Sequence, residues 1–326
     1  MFKHGTQWVR ADFHLHTRKD KEFNYSGVED RFVSDYVNQL EKEGIGLGVI
    51  TNHNKFDLGE YKAIKRKAKK KDIIIFPGVE LSVKEGANGI HCLIIFKEDE
   101  WLQFGGEYIS QFLDEVFKGV PNYENNNTTC NQDLEGVLNC LNTYKKDYFM
   151  IMAHVEQKSG FWKECNGGLI TAISQKKNFR EKVLGFQKIR THDLEKKINK
   201  WMGYKLPNVE GSDCKKIDQV GKGKASYIKL GADNFESLVL SLRDYENRVS
   251  NDVNKINHAC IKSMKFIGGK LADKEIFFSP ELNTLIGIRG SGKSSIIEAI
   301  RYLLDKDPSD SDKKYKEEIE IGRAHV

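Results

Sequence analysis

Short apolar runs recur along the chain, separated by polar or helix-like stretches: "WVRADF" from Trp8, "LGVIT" from Leu47, "IIIFPG" from Ile73, "IHCLIIF" from Ile90, "FMIMAH" from Phe149, "VLGFQ" from Val183 and "PNVEGSD" from Pro207. Runs of this length and β-branched content read as buried strands. Strands that alternate with helical segments predict an α/β fold with a parallel sheet or barrel, and seven runs suit a barrel better than an open sheet. "DRFVSDYVNQLEKEG" carries apolar residues at helical spacing and closes on Gly44, and "NQDLEGVLNCLNTY" is a second helix of the same kind. The Asn-rich "PNYENNNTTCNQD" reads as a surface loop. "NFESLVLSLRDYENRV" reads as a last helix covering the barrel.

A new apolar pattern then begins with "SMKFIGG" and "EIFFSPELNTLIGIRG". This places the barrel at residues 1–250, a linker at 251–262 and a second unit at 263–305. Residues 306–326, including "SDSDKKYKEEIE", are charged and poor in apolar side chains, so they are expected to be a disordered tail. No internal repeat is evident.

Composition narrows the setting. The chain has 326 residues, 39% of them hydrophobic, and no apolar run long enough to span a bilayer. The N-terminus lacks a signal-peptide layout, and the six cysteines show no paired spacing, so free thiols in a reducing cytoplasm are expected, with no membrane partner. The net charge of +5 is mild and concentrated in "YKAIKRKAKKKD". A solvated helix face explains that run, which is also compatible with a phosphate-rich partner.

The chemistry lies at the strand ends. His14 and His16 flank Leu15 and project to the same side of a strand. His53 in "TNHN", Glu80 in "GVELS", His91 in "HCLIIF", His154 in "AHVE" and Asp213 in "GSDCK" each stand beside another run. A parallel barrel gathers strand ends into one small area, so these nitrogen and oxygen donors point to a divalent metal site suited to zinc, manganese or iron.

"DFHLHT", "TNHN", "GVELS", "HCLIIF", "AHVE" and "GSDCK", in this order, resemble the motifs of the polymerase and histidinol phosphatase (PHP) family of metal-dependent phosphoesterases. The resemblance spans about residues 8–250. It implies a distorted (β/α)7 barrel with up to three ions. By motif, His14, His16, Glu80 and Asp213 would hold one ion and Glu80, His91 and His154 a second. The ions would activate a bridging water, so no protein nucleophile is required and Cys92 and Cys214 are bystanders. Lys188 or Arg190 would grip a substrate phosphate, arginine through its bidentate fork. His4, His192, His258 and His325 lie outside the motifs. The family's last motif usually ends in a histidine that completes a third site with His53, whereas this chain has Lys215, with only Asp20 or Glu22 as further candidates. Two tight ions and a weak third are therefore expected, with Lys215 supplying positive charge near the third position and joining Glu80, Asp213 and Arg190 in catalysis.

"GIRGSGKSS" from Gly287, after an apolar strand and before an amphipathic helix, has the form of a Walker A phosphate loop. Gly287, Gly290, Gly292, Lys293, Ser294 and Ser295 would bind ATP and magnesium in the full-length protein. The segment resembles the start of SMC/RecF-type ABC ATPases, and barrel plus lobe resemble the TrlF family. The downstream acidic and signature motifs of that class are missing. The ending "EIGRAHV" matches the translation of a common sequencing-adaptor read, so the ATPase lobe is expected to be incomplete and the last residues artefactual. The resulting expectation is a phosphoesterase acting on nucleic acid or nucleotides, as a nuclease or phosphohydrolase, governed by an ATPase in DNA repair or defence. Dimerisation would run through the full-length ATPase. A small-molecule phosphate monoesterase and a non-catalytic sensing barrel are the alternatives.

Overall fold

The first apolar run becomes β1 (Gln7–Leu15), the strand on which the rest of the barrel is registered. A computed structural model describes residues 5–103, 106–125, 128–252 and 258–306. The chain divides into two compact units, residues 1–259 and 260–326, and each is treated by itself.

In the first unit β1 is followed by β2 (Leu47–Ile50), β3 (Ile74–Val83), β4 (Ile90–Phe96), β5 (Tyr148–Met152), β6 (Val183–Gln187), β7 (Asn208–Val209), β8 (Ser226–Leu230) and β9 (Val249–Ser250). They form one mixed sheet in the order β7-β6-β5-β4-β3-β2-β1-β8-β9. β8 pairs with the first half of β1, from Gln7 to Ala11. The second half of β1 is met by the chain just after β7: Phe13 N donates to Glu210 O at 3.2 Å and Asp213 N to His14 O at 2.8 Å. Those bonds bring the far edge of the sheet back to its start, so the barrel is nearly closed, and they deliver Asp213 beside His14.

The sheet departs from the all-parallel expectation at β4, which runs antiparallel to both β3 and β5. Only Lys84–Gly89 separate β3 from β4, with Gly86 and Gly89 at positive φ. Six residues make a hairpin loop but are too few for a crossover, which takes a dozen or more. β8 and β9, absent from the seven runs, extend the sheet beyond β1.

Two apolar clusters hold the barrel. One joins strand residues such as Leu15, Ile75 and Met150 to the surrounding helices. The other gathers the alternate strand residues, including Phe13, Val49, Phe76, Leu93 and Ile151, with Phe235, Leu238 and Leu242 of the helix Phe235–Arg243. That helix plugs the interior at the end away from His154, its Phe235 lying 5.4 Å from Phe149 at the start of β5. Full burial of a side chain such as Phe13 contributes about 1.5–3 kcal/mol. The polar ends of the strands are thereby mounted on a packed support.

The second unit has a two-stranded pair, Ser263–Lys265 with Glu275–Phe277, and the helix Lys293–Leu303. The apolar strand expected just before the glycine-rich loop is not formed. Residues 282–288 carry no strand assignment, and Leu282, Ile286 and Ile288 are exposed. A strand needs a neighbour for its backbone donors and acceptors, and no described segment of this unit supplies one there. Residues 307–326 lie outside the described residues, as do residues 253–257 of the expected linker.

Candidate metal centre

The structure converges five imidazoles on one carboxylate. Glu80, completely buried on β3, presents Oε2 to His14 Nε2 at 2.7 Å, His53 Nε2 at 3.0 Å and His16 Nε2 at 3.4 Å. Its Oε1 meets His91 Nδ1 at 2.8 Å and His154 Nε2 at 3.2 Å. Asp213 Oδ1 lies 3.3 Å from His16 Nε2 and 4.0 Å from His14 Nε2. His14, His16 and Asp213 form one group of ligand atoms within reach of one ion, His16, His53 and Glu80 a second, and Glu80, His91 and His154 a third.

Each element reaches this point for a local reason. β1 carries His14 to its end, and Asp12 Oδ1 accepts from both His14 N and Ser212 N at 3.0 Å, stapling that end to the Asp213 segment. His53 is carried on a stretch that bridges to Glu80, with Glu80 N donating to Asn52 O and Asn54 N to Glu80 O. His91 opens β4 rather than closing it, and reaches the same end of the barrel because β4 runs backwards. His154, Lys188 and Asp213 follow their strands with φ of 25°, 61° and 54°. Left-handed backbone at a residue other than glycine costs on the order of 1–3 kcal/mol, so the surrounding fold must hold these three turns in place.

The far side of each ring decides what the near side can do. Gln187 Oε1 accepts the backbone N–H of His154 at 3.0 Å, which fixes the orientation of the amide. The same oxygen lies 3.0 Å from His14 Nδ1, so Nδ1 carries a proton and donates it. Asp20 Oδ2 lies 3.0 Å from His53 Nδ1 and 3.0 Å from His16 Nδ1, the latter close but not aligned as a hydrogen bond. His14 and His53 are therefore bounded by acceptor oxygens at both ends. Such a ring is either an imidazolium or a neutral ligand with a cation at Nε2. Adjacent rings lie 4.5–4.8 Å apart, where two positive charges repel by about 3–4 kcal/mol at an effective dielectric of 20. A buried stack of imidazoliums is thus costly, while divalent cations shared by these nitrogens and two carboxylates balance the charge without it. The donor set fits metal.

The ionisation of the residues agrees. Burial alone would raise Glu80 and lower His14 and His53, but their mutual attraction reverses both. Glu80 is held well below the carboxylate range, His14 is raised, and His53 is raised to about 10 by Glu80 and Asp20. Burial pushes His154 down, helped by His14 and His91 nearby, so it stays neutral. Burial pushes the Cys214 thiol up to about 12 and Cys92 well above its ordinary range, which leaves neither as a nucleophile.

The basic residues divide. Lys188 Nζ and Lys215 Nζ face Asp213 at 3.3 and 3.1 Å, and Lys215 also meets Glu22 at 2.6 Å. Burial would lower Lys215, but Asp213 and Glu22 keep it charged. Arg190, expected to grip phosphate, is instead clamped bidentately on buried Glu210 at 2.6 and 2.8 Å and also donates to Ile189 O. Its fork is spent on holding the chain that leads to Asp213. Asp20 turns its Oδ2 to two ring nitrogens and the backbone N–H of His53, which makes it an orienting group. His192 is exposed beside Glu195, whereas His4 and His325 lie outside the described residues.

Sequence reasoning missed Gln187 and Asp12. The signal for Gln187 was a polar residue ending the otherwise apolar "VLGFQ". We expect Gln187→Leu, which removes the acceptor that fixes the His14 tautomer, to weaken divalent-metal binding about 10–100-fold while the barrel stays folded. Chelator competition measures this, and an unchanged affinity would show that His14 is oriented by other means.

In the second unit, Gly290 and Gly292 adopt positive φ ahead of the helix Lys293–Leu303. Lys293 Nζ donates to Gly287 O at 2.6 Å and Ile288 O at 2.8 Å. Among the described residues no helix is long and apolar enough to cross a membrane.

Residues 261–325 match the family model of an AAA domain. No curated protein sequence matches the chain. Similar solved structures include a two-domain protein of Bacteroides vulgatus described as containing a predicted PHP-like metal-dependent phosphoesterase, at 14% identity and TM-score 0.47, over 75% of this chain and 64% of that one. The match thus spans less than two thirds of that protein. A second, from Bifidobacterium adolescentis and assigned as a metal-dependent phosphoesterase, aligns at 11% identity and TM-score 0.44 over 64% of this chain and 88% of that one. An amidohydrolase from Chromobacterium violaceum with bound sulfate aligns at 13% identity and TM-score 0.46 over 74% and 97%.

Proposed function

We propose that the barrel is a metal-dependent phosphoesterase of the PHP type that hydrolyses phosphoester bonds in nucleic acid or nucleotides. The observation that carries this reading is the convergence of five histidines on Glu80, with His14 and His53 held from behind by acceptors. In this reading His14, His16, Glu80 and Asp213 hold one divalent ion and Glu80, His91 and His154 a second, with Glu80 shared. Ions so placed would supply a water of lowered pKa and counter-charge for the phosphoryl oxygens. Gln187 and Asp20 hold the rings so that Nε2 faces the ions, and Asp12 keeps His14 and Asp213 together. The protonated thiols of Cys92 and Cys214 leave water as the nucleophile.

The polynucleotide preference rests on the second unit. Residues 263–305 are read as the start of a P-loop ATPase that governs the barrel, a reading supported by the AAA-domain match and by the glycine-rich loop ahead of Lys293. ATP binding that is lost in Lys293→Ala tests that part.

The experiment for the barrel is hydrolysis by the purified chain with manganese, on generic monoester and diester substrates and on single- and double-stranded DNA and RNA. The expected result is turnover that disappears with chelator and returns with manganese. Turnover indifferent to chelation would overturn the metal mechanism. A polynucleotide substrate further predicts binding that weakens steeply with salt, which a small monoester does not.

A further inference from the structure

Two ammonium groups from different loops share one carboxylate beside the histidine cluster. Lys188 Nζ lies 3.3 Å from Asp213 Oδ2, and Lys215 Nζ lies 3.1 Å from Asp213 Oδ1. Both positions are built. Lys188 sits on left-handed backbone and donates its N–H to Val209 O at 3.1 Å. Lys215 N donates to Gln219 Oε1 at 2.8 Å, and Lys215 O accepts from Asn24 N at 2.7 Å. The side chains are 15% and 35% exposed, enclosed enough to be held and open enough to be reached. Other basic groups on the loops that follow β1, β2 and β6 are engaged elsewhere: Lys19 with Asp57, Lys55 with Glu124 and Arg190 with Glu210.

We propose that Lys188 and Lys215 form the phosphoryl-binding subsite of this centre, an inference that rests on the metal-dependent reading above. The argument is electrostatic. Asp213 Oδ1 faces His16 and His14 as well as Lys215, so a cation held by those groups draws on the same carboxylate charge that the lysines use. Loading the centre takes Asp213 away from both ammonium groups, leaving Lys188 short of counter-charge and Lys215 with Glu22, 2.6 Å away, in place of two carboxylates. A phosphoryl group supplies it, through oxygens that accept charge-assisted hydrogen bonds. A neutral amide does not, so the pair selects phosphate-bearing substrates. Because the cation takes up the Asp213 charge and the anion replaces it at the lysines, each strengthens the binding of the other, and the coupling is reciprocal.

The test is calorimetric titration of inorganic phosphate into the manganese-loaded full chain at fixed ionic strength, with metal content measured on the same samples. Lys188→Gln and Lys215→Gln should each weaken phosphate binding about tenfold, the scale of one charge-assisted hydrogen bond, with manganese content unchanged. Lys216→Gln serves as the control for general charge loss, since Lys216 is exposed and pairs only at 3.8 Å with Asp218; its phosphate affinity should stay within about twofold. Manganese bound at the normal level together with unchanged phosphate affinity in the Lys188→Gln, Lys215→Gln double variant would overturn the lysine assignment alone. A chain that binds no manganese would overturn both this assignment and the reading beneath it.

Discussion

Glu80→Gln is expected to strip divalent metal from the centre and, on the proposed function, to lower phosphoester turnover by about 10³-fold, the upper end of what loss of one preorganised electrostatic group costs. Glutamine matches the shape of glutamate but replaces a shared charge by one neutral oxygen and an NH2 group. The loss reaches both sides of the site, because Oε2 faces His14, His16 and His53 while Oε1 faces His91 and His154. The barrel should remain folded, since the backbone of residue 80 keeps its bonds to Asn52 and Asn54. Elemental analysis, circular dichroism and turnover on the same preparation separate these effects. A folded Glu80→Gln protein that keeps its ions and its rate would mean that the centre is not organised on this carboxylate.

Asp20→Ala should produce the second-largest effect, a fall in metal affinity of about 10–100-fold, with a changed pH dependence. Asp20 contacts Nδ1 of both His16 and His53, so its removal frees two rings at once. In the metal-free protein burial would lower His53, yet Glu80 and Asp20 raise it to about 10, so it is protonated at neutral pH. An ion held by the His16, His53 and Glu80 group must displace that proton, and the affinity of that position should therefore rise as pH increases toward about 10, with protons released on binding. Without Asp20 one of the groups that raise His53 is gone. The rise should then be complete at lower pH, even though the plateau affinity is weaker. The sign for stability follows from the same shift: the ion pairs of His53 stabilise the metal-free fold below its ordinary pKa, and that contribution is lost as pH climbs through about 10. Metal titrations at several pH values, with proton release followed by calorimetry, measure these outcomes. Identical pH profiles for Asp20→Ala and the unmodified chain would remove Asp20 from its orienting role.

The sequence by itself determined which donor residues stand beside the strand ends. His14 and His16, two apart at the end of a strand and its exit, and one donor beside each later run, stand out because strand periodicity and donor type are local properties. Their identity survives any arrangement of the sheet. The apolar content of β1, β2, β3, β5 and β6 was legible for the same reason, since buried strands must be continuous apolar runs.

What only the tertiary structure decided was how those donors face one another and what stands behind them. The reversed direction of β4 follows from the short Lys84–Gly89 connection, and it puts His91 at the site from the start of its strand instead of the end. Gln187 and Asp12 act through bonds to residues 173 and 200 positions away, a distance no local pattern encodes. Arg190 looked like a phosphate ligand from its type alone, yet Glu210, 20 residues on, takes its fork once β6 and β7 lie side by side. The apolar residues 282–288 read as a strand by composition but carry no strand pairing in the structure, because a strand exists only when a neighbour accepts its hydrogen bonds. Residue type and period are written in the chain, whereas the pairing of charges and hydrogen bonds across it is set by which segments the closed sheet brings into contact.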